Sequence, residues 1–145
     1  MTQEIFKRYE KKYMLTQKKH DALIPVLERQ MNADHYGEHT LSNIYFDTRD
    51  YELVRQSIEK PEYKEKLRLR AYGKVTDNSV VYAELKKKFD GVVYKRRIPM
   101  TLCQARKYLY YGIRWAEESQ ILKEIDYVLN RYELKPAAYV AYERV

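Results

Sequence analysis

The residues best suited to chemistry in this 145-residue sequence are charged side chains spaced two apart: Arg68 and Arg70, Glu84 and Lys86, Lys95 and Arg97. A spacing of two is the side-chain period of a strand, so each pair shares one face of a sheet. The opposite parity is apolar in the first two segments, with Leu67, Leu69 and Ala71, then Val81, Ala83 and Leu85. Such a sheet can bury one face and offer the other to a polyanion. Arginine grips two phosphate oxygens with a planar fork, while lysine acts as a compact point charge. From parity alone two readings stand, a phosphate-holding surface and an ordinary solvated sheet face.

The whole composition agrees with an anionic partner. Lys plus Arg number 28 against 21 Asp plus Glu, a formal net charge of +7. That balance favours nucleic acid, phosphorylated metabolites, polyphosphate or an anionic membrane surface. Hydrophobic residues make up 45% of the chain, too many for a disordered basic tail. No apolar run has the length of a membrane span and no leader resembles a signal peptide, so the chain reads as soluble and cytoplasmic. The single cysteine, Cys103, excludes an internal disulfide and a cysteine-based zinc site. His20, His35 and His39 lack metal-ligand spacing and read as surface residues. The sixteen tyrosines suit half-buried strands better than base-stacking platforms, although both uses are open to them. Lys86-Lys87-Lys88 is not one cationic face, because on a strand Lys87 points away from its neighbours.

These side chains need a sheet to hold them. An opening strand is expected over about Ile5 to Leu15, then a helix capped by Thr16 through Leu23, Val26, Leu27 and Met31, with Pro25 a kink or a late start. A strand follows around Leu41 to Asp47. A short helix capped by Asp50 or Thr48 then runs through Leu53, Val54 and Ile58, and Pro61 closes it. Three strand-like segments occupy Lys64 to Arg97, and Asp90-Gly91 signals a hairpin between the second and third. Thr101 caps a helix over Leu102 to Tyr110, which Gly112 interrupts. Another helix covers about Ala116 to Arg131, burying Ile121, Ile125, Val128 and Leu129, before a last strand from Ala137 to Val145. The pattern is α+β in one domain over residues 1–145. Too few residues separate consecutive strands for a doubly wound sheet.

Five strings in order carry a family resemblance: Glu10-Lys11-Lys12-Tyr13, Ile44-Tyr45-Phe46-Asp47-Thr48, Lys66-Leu67-Arg68-Leu69-Arg70, Glu84-Leu85-Lys86 and Tyr94-Lys95-Arg96-Arg97. From about Phe6 onward the chain resembles the catalytic domain of vacuolar transporter chaperone (VTC) polyphosphate polymerases, in the triphosphate tunnel metalloenzyme superfamily with the related CYTH domains. The resemblance implies an antiparallel sheet forming part of a tunnel β-barrel, with helices packed outside. It implies transfer of the ATP γ-phosphoryl group to polyphosphate with Mn²⁺ or Mg²⁺. The alternatives are a non-catalytic polyphosphate- or triphosphate-binding module and a triphosphatase. Nucleic-acid binding is a lesser expectation.

Carried over by position, Lys12, Arg70 and Lys86 are the implied catalytic residues. Arg8, Lys12, Arg68, Arg70, Lys86, Lys95, Arg97 and Arg144 are implied to hold substrate phosphates. Glu10 and Glu84 are candidate metal ligands, with Glu84 better suited to pairing cations across strands. Arg8 stands where superfamily triphosphatases carry the first carboxylate of E-x-E-x-K, which favours the polymerase type. The family's late metal-binding glutamate has no counterpart, so the chain is expected to match the N-terminal part of the domain. Exposed sheet edges would then favour self-association into homo-oligomers.

Overall fold

The structure, a computed structural model, describes residues 5–8, 11–33, 35, 37–114 and 118–144, with side chains from Lys11 onward. Six antiparallel strands form one sheet: β1 (Ile5–Arg8), β2 (His39–Asp47), β3 (Tyr63–Tyr72), β4 (Val80–Phe89), β5 (Val92–Thr101) and β6 (Lys135–Arg144). Their spatial order is β1-β5-β4-β3-β2-β6, so β1 and β6 are the edges and the described sheet is open, not closed into a barrel. Four helices accompany it: α1 (Gln17–Glu28), α2 (Glu52–Ile58), α3 (Leu102–Tyr111) and α4 (Gln120–Tyr132).

The alternation read from the sequence places the core. Leu67, Leu69, Val81, Ala83, Leu85 and Met100 point from β3, β4 and β5 into one cluster, where Tyr108 of α3 and Ile121, Leu122, Ile125 and Val128 of α4 meet them. Each fully buried Leu or Ile there contributes roughly 1.5–3 kcal/mol. Helices α3 and α4, with Leu53 of α2, therefore cover the apolar face of β3–β5 and leave the charged face open. Lys87 and Arg96 have the apolar parity and reach the helix side, where both meet Glu124 of α4 at 3.1 and 3.5 Å.

Local signals set the element ends. Asp90 and Gly91 both have positive φ (44° and 77°), as a two-residue type I′ hairpin requires. Phe89 consequently faces Val92, which fixes the whole β4–β5 register. Thr101 and Gln104 form a reciprocal capping box on α3, and Gly112 ends that helix at φ 69°.

Several expectations need correction. The opening strand is described only over Ile5–Arg8 and does not continue through Lys11–Leu15. Its partner explains this: Arg8 already faces Val93, and β5 then ends in the Asp90-Gly91 turn. The first helix starts at Gln17 and runs through Pro25, so there is no late start, and it stops at Glu28 before Met31. Asp50 does not cap α2. The Asp47 carboxylate does so from the end of β2, accepting from the backbone N–H groups of Thr48, Leu53 and Val54 at 2.8–3.0 Å, while Thr48 Oγ1 accepts from Glu52. Helix α4 begins at Gln120, where Ser119 caps it, rather than at Ala116.

Candidate functional site: a cationic sheet face

Cross-strand register sorts the charged side chains into rows. Tyr45, Arg68, Glu84 and Arg97 lie side by side across β2, β3, β4 and β5. Lys66, Lys86 and Lys95 form the next row, and Lys64, Lys88 and Val93 the one beyond. Directly opposed residues in an antiparallel sheet share a face, so all three rows are on the side away from α3 and α4, while Lys64 at one end also donates to Ser57 of α2. Rows are two residues apart, about 7 Å along the strands.

Glu84 is the centre of the first row and is only 1% exposed. Arg68 donates from Nε at 2.8 Å, and its Nη2 lies 2.7 Å from the same Oε2. Lys95 Nζ is 2.8 Å from Oε1, while Arg70 Nε and Arg97 Nε stand at 3.9 and 4.0 Å. Four cations around one carboxylate leave a surplus of three positive charges. Burial alone would push the Glu84 carboxyl up, but Arg68, Lys95 and Arg70 outweigh it and hold the group below the usual range. Lys95 is pushed down, first by burial and then by Arg68 and Arg97, with Glu84 opposing.

Neutral side chains aim the arginines. Tyr45 Oη accepts from Arg68 Nη1 at 3.1 Å. Buried Asn43 accepts from Arg70 Nε at 2.9 Å and donates to the Val140 carbonyl of β6 at 3.1 Å. Tyr142 Oη accepts from Arg70 Nη2 at 3.1 Å, so β2 and β6 together fix that guanidinium. Arg97 lies over the Tyr82 ring, its Cζ 3.6 Å from the centroid. Among the described residues its buried Nε has no hydrogen-bond acceptor.

Beyond the arginine row a cavity of about 490 Å³ is lined by five lysines, Lys12, Lys64, Lys66, Lys86 and Lys88, with Val93. Burial and repulsion from Lys66, Lys88 and Lys60 push the Lys64 ammonium below the ordinary lysine range. Such crowding is relieved by a bound polyanion.

The residues singled out in the sequence thus separate by place. Arg68, Arg70, Lys95 and Arg97 converge on Glu84, and Lys86 lines the lysine cavity with Lys12. Lys12 does so from beyond β1, not from within a strand. Arg144 sits at the other end of the face, opposite His39. Arg8 pairs with Val93 through the backbone, and its side chain lies outside the described residues, as does Glu10. Sequence reasoning missed Lys64, Lys66 and Lys88 as cavity-lining cations, although Lys64 and Lys66 share their parity with Arg68 and Lys88 shares that of Lys86. It also missed Asn43, Tyr45 and Tyr142, for which parity gives no signal.

A divalent metal fits the described residues poorly. Glu84 has both oxygens engaged by cations, and no group of three or more His, Cys, Asp or Glu among the described residues could hold a metal ion.

An open antiparallel sheet with α3 and α4 on one face and a cationic surface on the other defines an α+β domain with a candidate anion-binding face. The family model of the VTC domain matches residues 7–145, and the chain belongs to that family. A solved Bacillus halodurans structure, described as that of a candidate adenylate cyclase, aligns with a TM-score of 0.58 at 16% identity. The alignment covers 97% of this chain and 63% of that one, and at this identity it speaks for the fold alone. None of the curated proteins matches the chain. No helix among the described residues is long and apolar enough to cross a membrane.

Proposed function

We propose that this domain binds triphosphate and linear polyphosphate along its cationic face and acts as a polyphosphate polymerase-type phosphotransferase. The convergence of Arg68, Arg70, Lys95 and Arg97 on a single buried carboxylate, beside a five-lysine cavity, carries this reading. Phosphoryl transfer asks a protein mainly to position phosphates and to neutralise spreading charge. In the proposed reaction a terminal polyphosphate oxygen attacks the γ-phosphorus of ATP, the β–γ bridging P–O bond breaks, and ADP leaves. Arg68, Arg70, Lys95 and Arg97 hold the nucleotide's phosphates, while Lys12 and Lys86 line the path of the acceptor chain. Arg8 and Arg144 extend the phosphate contacts at the margins.

The family generally works with a divalent metal, Mn²⁺ or Mg²⁺ being the expected ions. Because Glu84 is committed to cations, no step is assigned to a metal held by the described side chains. The runner-up is a binding module without turnover, favoured by that same commitment of Glu84. Thermal-shift titration with tripolyphosphate, with and without EDTA, tests binding. Incubation with ATP and Mn²⁺, followed by assay for acid-labile polymer, tests transfer. Absence of stabilisation by tripolyphosphate, with Arg70→Ala behaving like the parent, refutes the phosphate reading. Stabilisation without polymer leaves the binding module.

A further inference from the structure

Beside the lysine cavity lies a second one of different chemistry. It holds about 270 Å³ between β2, β6 and α2, and its lining includes Phe46, Leu53, Val54, Ala138 and Val140. A shift of strand register makes room for it. Tyr45 faces Ala138 but Phe46 faces Pro136, so Ala137 has no facing residue, the geometry of a β-bulge. Two small side chains, Ala137 and Ala138, then form the β6 wall. The α2 wall is fixed because the Asp47 carboxylate accepts from the backbone N–H groups of Leu53 and Val54 at 2.9 and 3.0 Å. The two cavities adjoin, since Lys66 lines both. Across the sheet Lys66 faces another cation, Lys86, and it adds to the repulsion on Lys64.

We propose that these adjoining spaces form a site for an aliphatic organic phosphate, a single unbranched alkyl chain ending in a phosphate. The phosphate sits on Lys66 at the edge of the lysine cavity, and the chain lies in the apolar one. Inorganic polyphosphate would lose water against this wall without gaining a bond. A ring with hydrogen-bonding edges is poorly matched too. Tyr45 Oη already accepts from Arg68, and both Asp47 oxygens accept from backbone N–H groups. An alkyl chain asks for no hydrogen bond and gains from each methylene taken out of water. At about 30 Å³ for a water-sized group the cavity takes about nine such groups, so an octyl chain is a full load. Because its head uses Lys66, the ligand competes with polyphosphate for the lysine cavity.

This inference shares the lysine cavity with the proposed function but not its reaction, and calorimetry on the whole chain separates the two. Ethyl, butyl, hexyl, octyl and dodecyl phosphate are titrated below their micelle concentrations, beside tripolyphosphate. Affinity is expected to rise about threefold to fourfold per buried methylene up to octyl and then to level off. Saturating tripolyphosphate is expected to weaken octyl phosphate binding. Ala138 is exposed on the edge strand β6, so Ala138→Leu fills the cavity without disturbing the core. That variant should bind octyl phosphate about tenfold more weakly, the scale of two displaced methylenes, and keep tripolyphosphate within about twofold of the parent. Val54 is also exposed, on α2, and Val54→Phe should do the same from the other wall. Affinity independent of chain length, or octyl phosphate binding untouched by both substitutions, overturns the site. So does a rise that continues to dodecyl, with binding to phosphatidic acid vesicles that neither substitution changes, since this marks adsorption to lipid. Tripolyphosphate binding without octyl phosphate binding overturns this site and leaves the proposed function standing. Octyl phosphate binding without tripolyphosphate binding does the reverse.

Discussion

Glu84→Gln removes one charge and almost no volume, from a side chain with 1% exposure. In the parent, Oε2 is held by Arg68 and Oε1 by Lys95, with Arg70 and Arg97 about 4 Å away. The substitution leaves four neighbouring cations without an anion. Breaking a buried ion pair from one side costs about 3–5 kcal/mol. Arg68 and Lys95 keep 19% and 15% exposure, and Arg68 keeps its bond to Tyr45, which argues for the lower end. A loss near 3 kcal/mol lowers Tm by about 6–12 °C for a domain of this size.

Thermal unfolding at low salt and neutral pH measures that loss. Repeating it with tripolyphosphate asks whether an added polyanion supplies the missing charge, in which case the ligand-induced rise is larger in the variant. Acid pH gives a second check. The folded-state carboxyl is held low, so its contribution is full above the ordinary glutamate range and disappears as pH falls through the depressed value. The parent should therefore lose stability in acid more steeply than Glu84→Gln. A loss below about 1 kcal/mol with the same acid limb refutes the ion-pair account. Mn²⁺ stabilising the parent but not the variant would instead make Glu84 a metal ligand.

Asp47→Ala removes an acceptor from three backbone N–H groups and is expected to cost about 2 kcal/mol in urea unfolding, with Asp47→Asn recovering part of it. Lys88→Gln relieves repulsion on Lys64, so the ligand-free protein is expected to unfold slightly later at low salt while long-chain polyphosphate binds more weakly. Lys95 has its folded-state value pushed down, so it loses its charge at lower pH than an ordinary lysine. Tripolyphosphate affinity should begin to fall on that alkaline side. The ligand-free fold shows the opposite sign, its burial penalty vanishing as Lys95 deprotonates. Lys95→Arg, titrated by calorimetry across the same range, should hold its affinity.

Much of the sheet is visible in the sequence because its two faces are chemically unlike. Leu67-Arg68-Leu69-Arg70 declares both strand and orientation, and Asp90-Gly91 declares the turn. The ending of β1 is not visible, since it depends on where β5 stops offering partners. Nor is the full cap on α2: the sequence offers Thr48 or Asp50, and Thr48 does accept from Glu52, but the Asp47 carboxylate at the end of β2 takes the next two N–H groups, Leu53 and Val54. In the site, parity identified Arg68, Arg70, Lys86, Lys95 and Arg97 as sharing a face. It could not show that Glu84 is buried among four of them, because that follows from register across three strands. Asn43 and Tyr142 are 99 residues apart in the sequence and meet at Arg70 only because β6 returns beside β2.

The two-residue turn at Asp90-Gly91 makes the cationic face unusually sensitive to small changes of chain length. It sets Lys86 opposite Lys95 and Glu84 opposite Arg97 by counting residues, with no slack to absorb an error. One residue inserted into β5 beyond a preserved turn would turn Lys95 and Arg97 toward the apolar layer and bring Arg96 out in their place. A two-residue insertion would keep the faces but slide the arginines one row past Glu84. Homologous sequences should therefore vary freely in side chains around this hairpin, while deletions and insertions between Glu84 and Arg97 should be rare and, where tolerated, come with a bulge that restores the count.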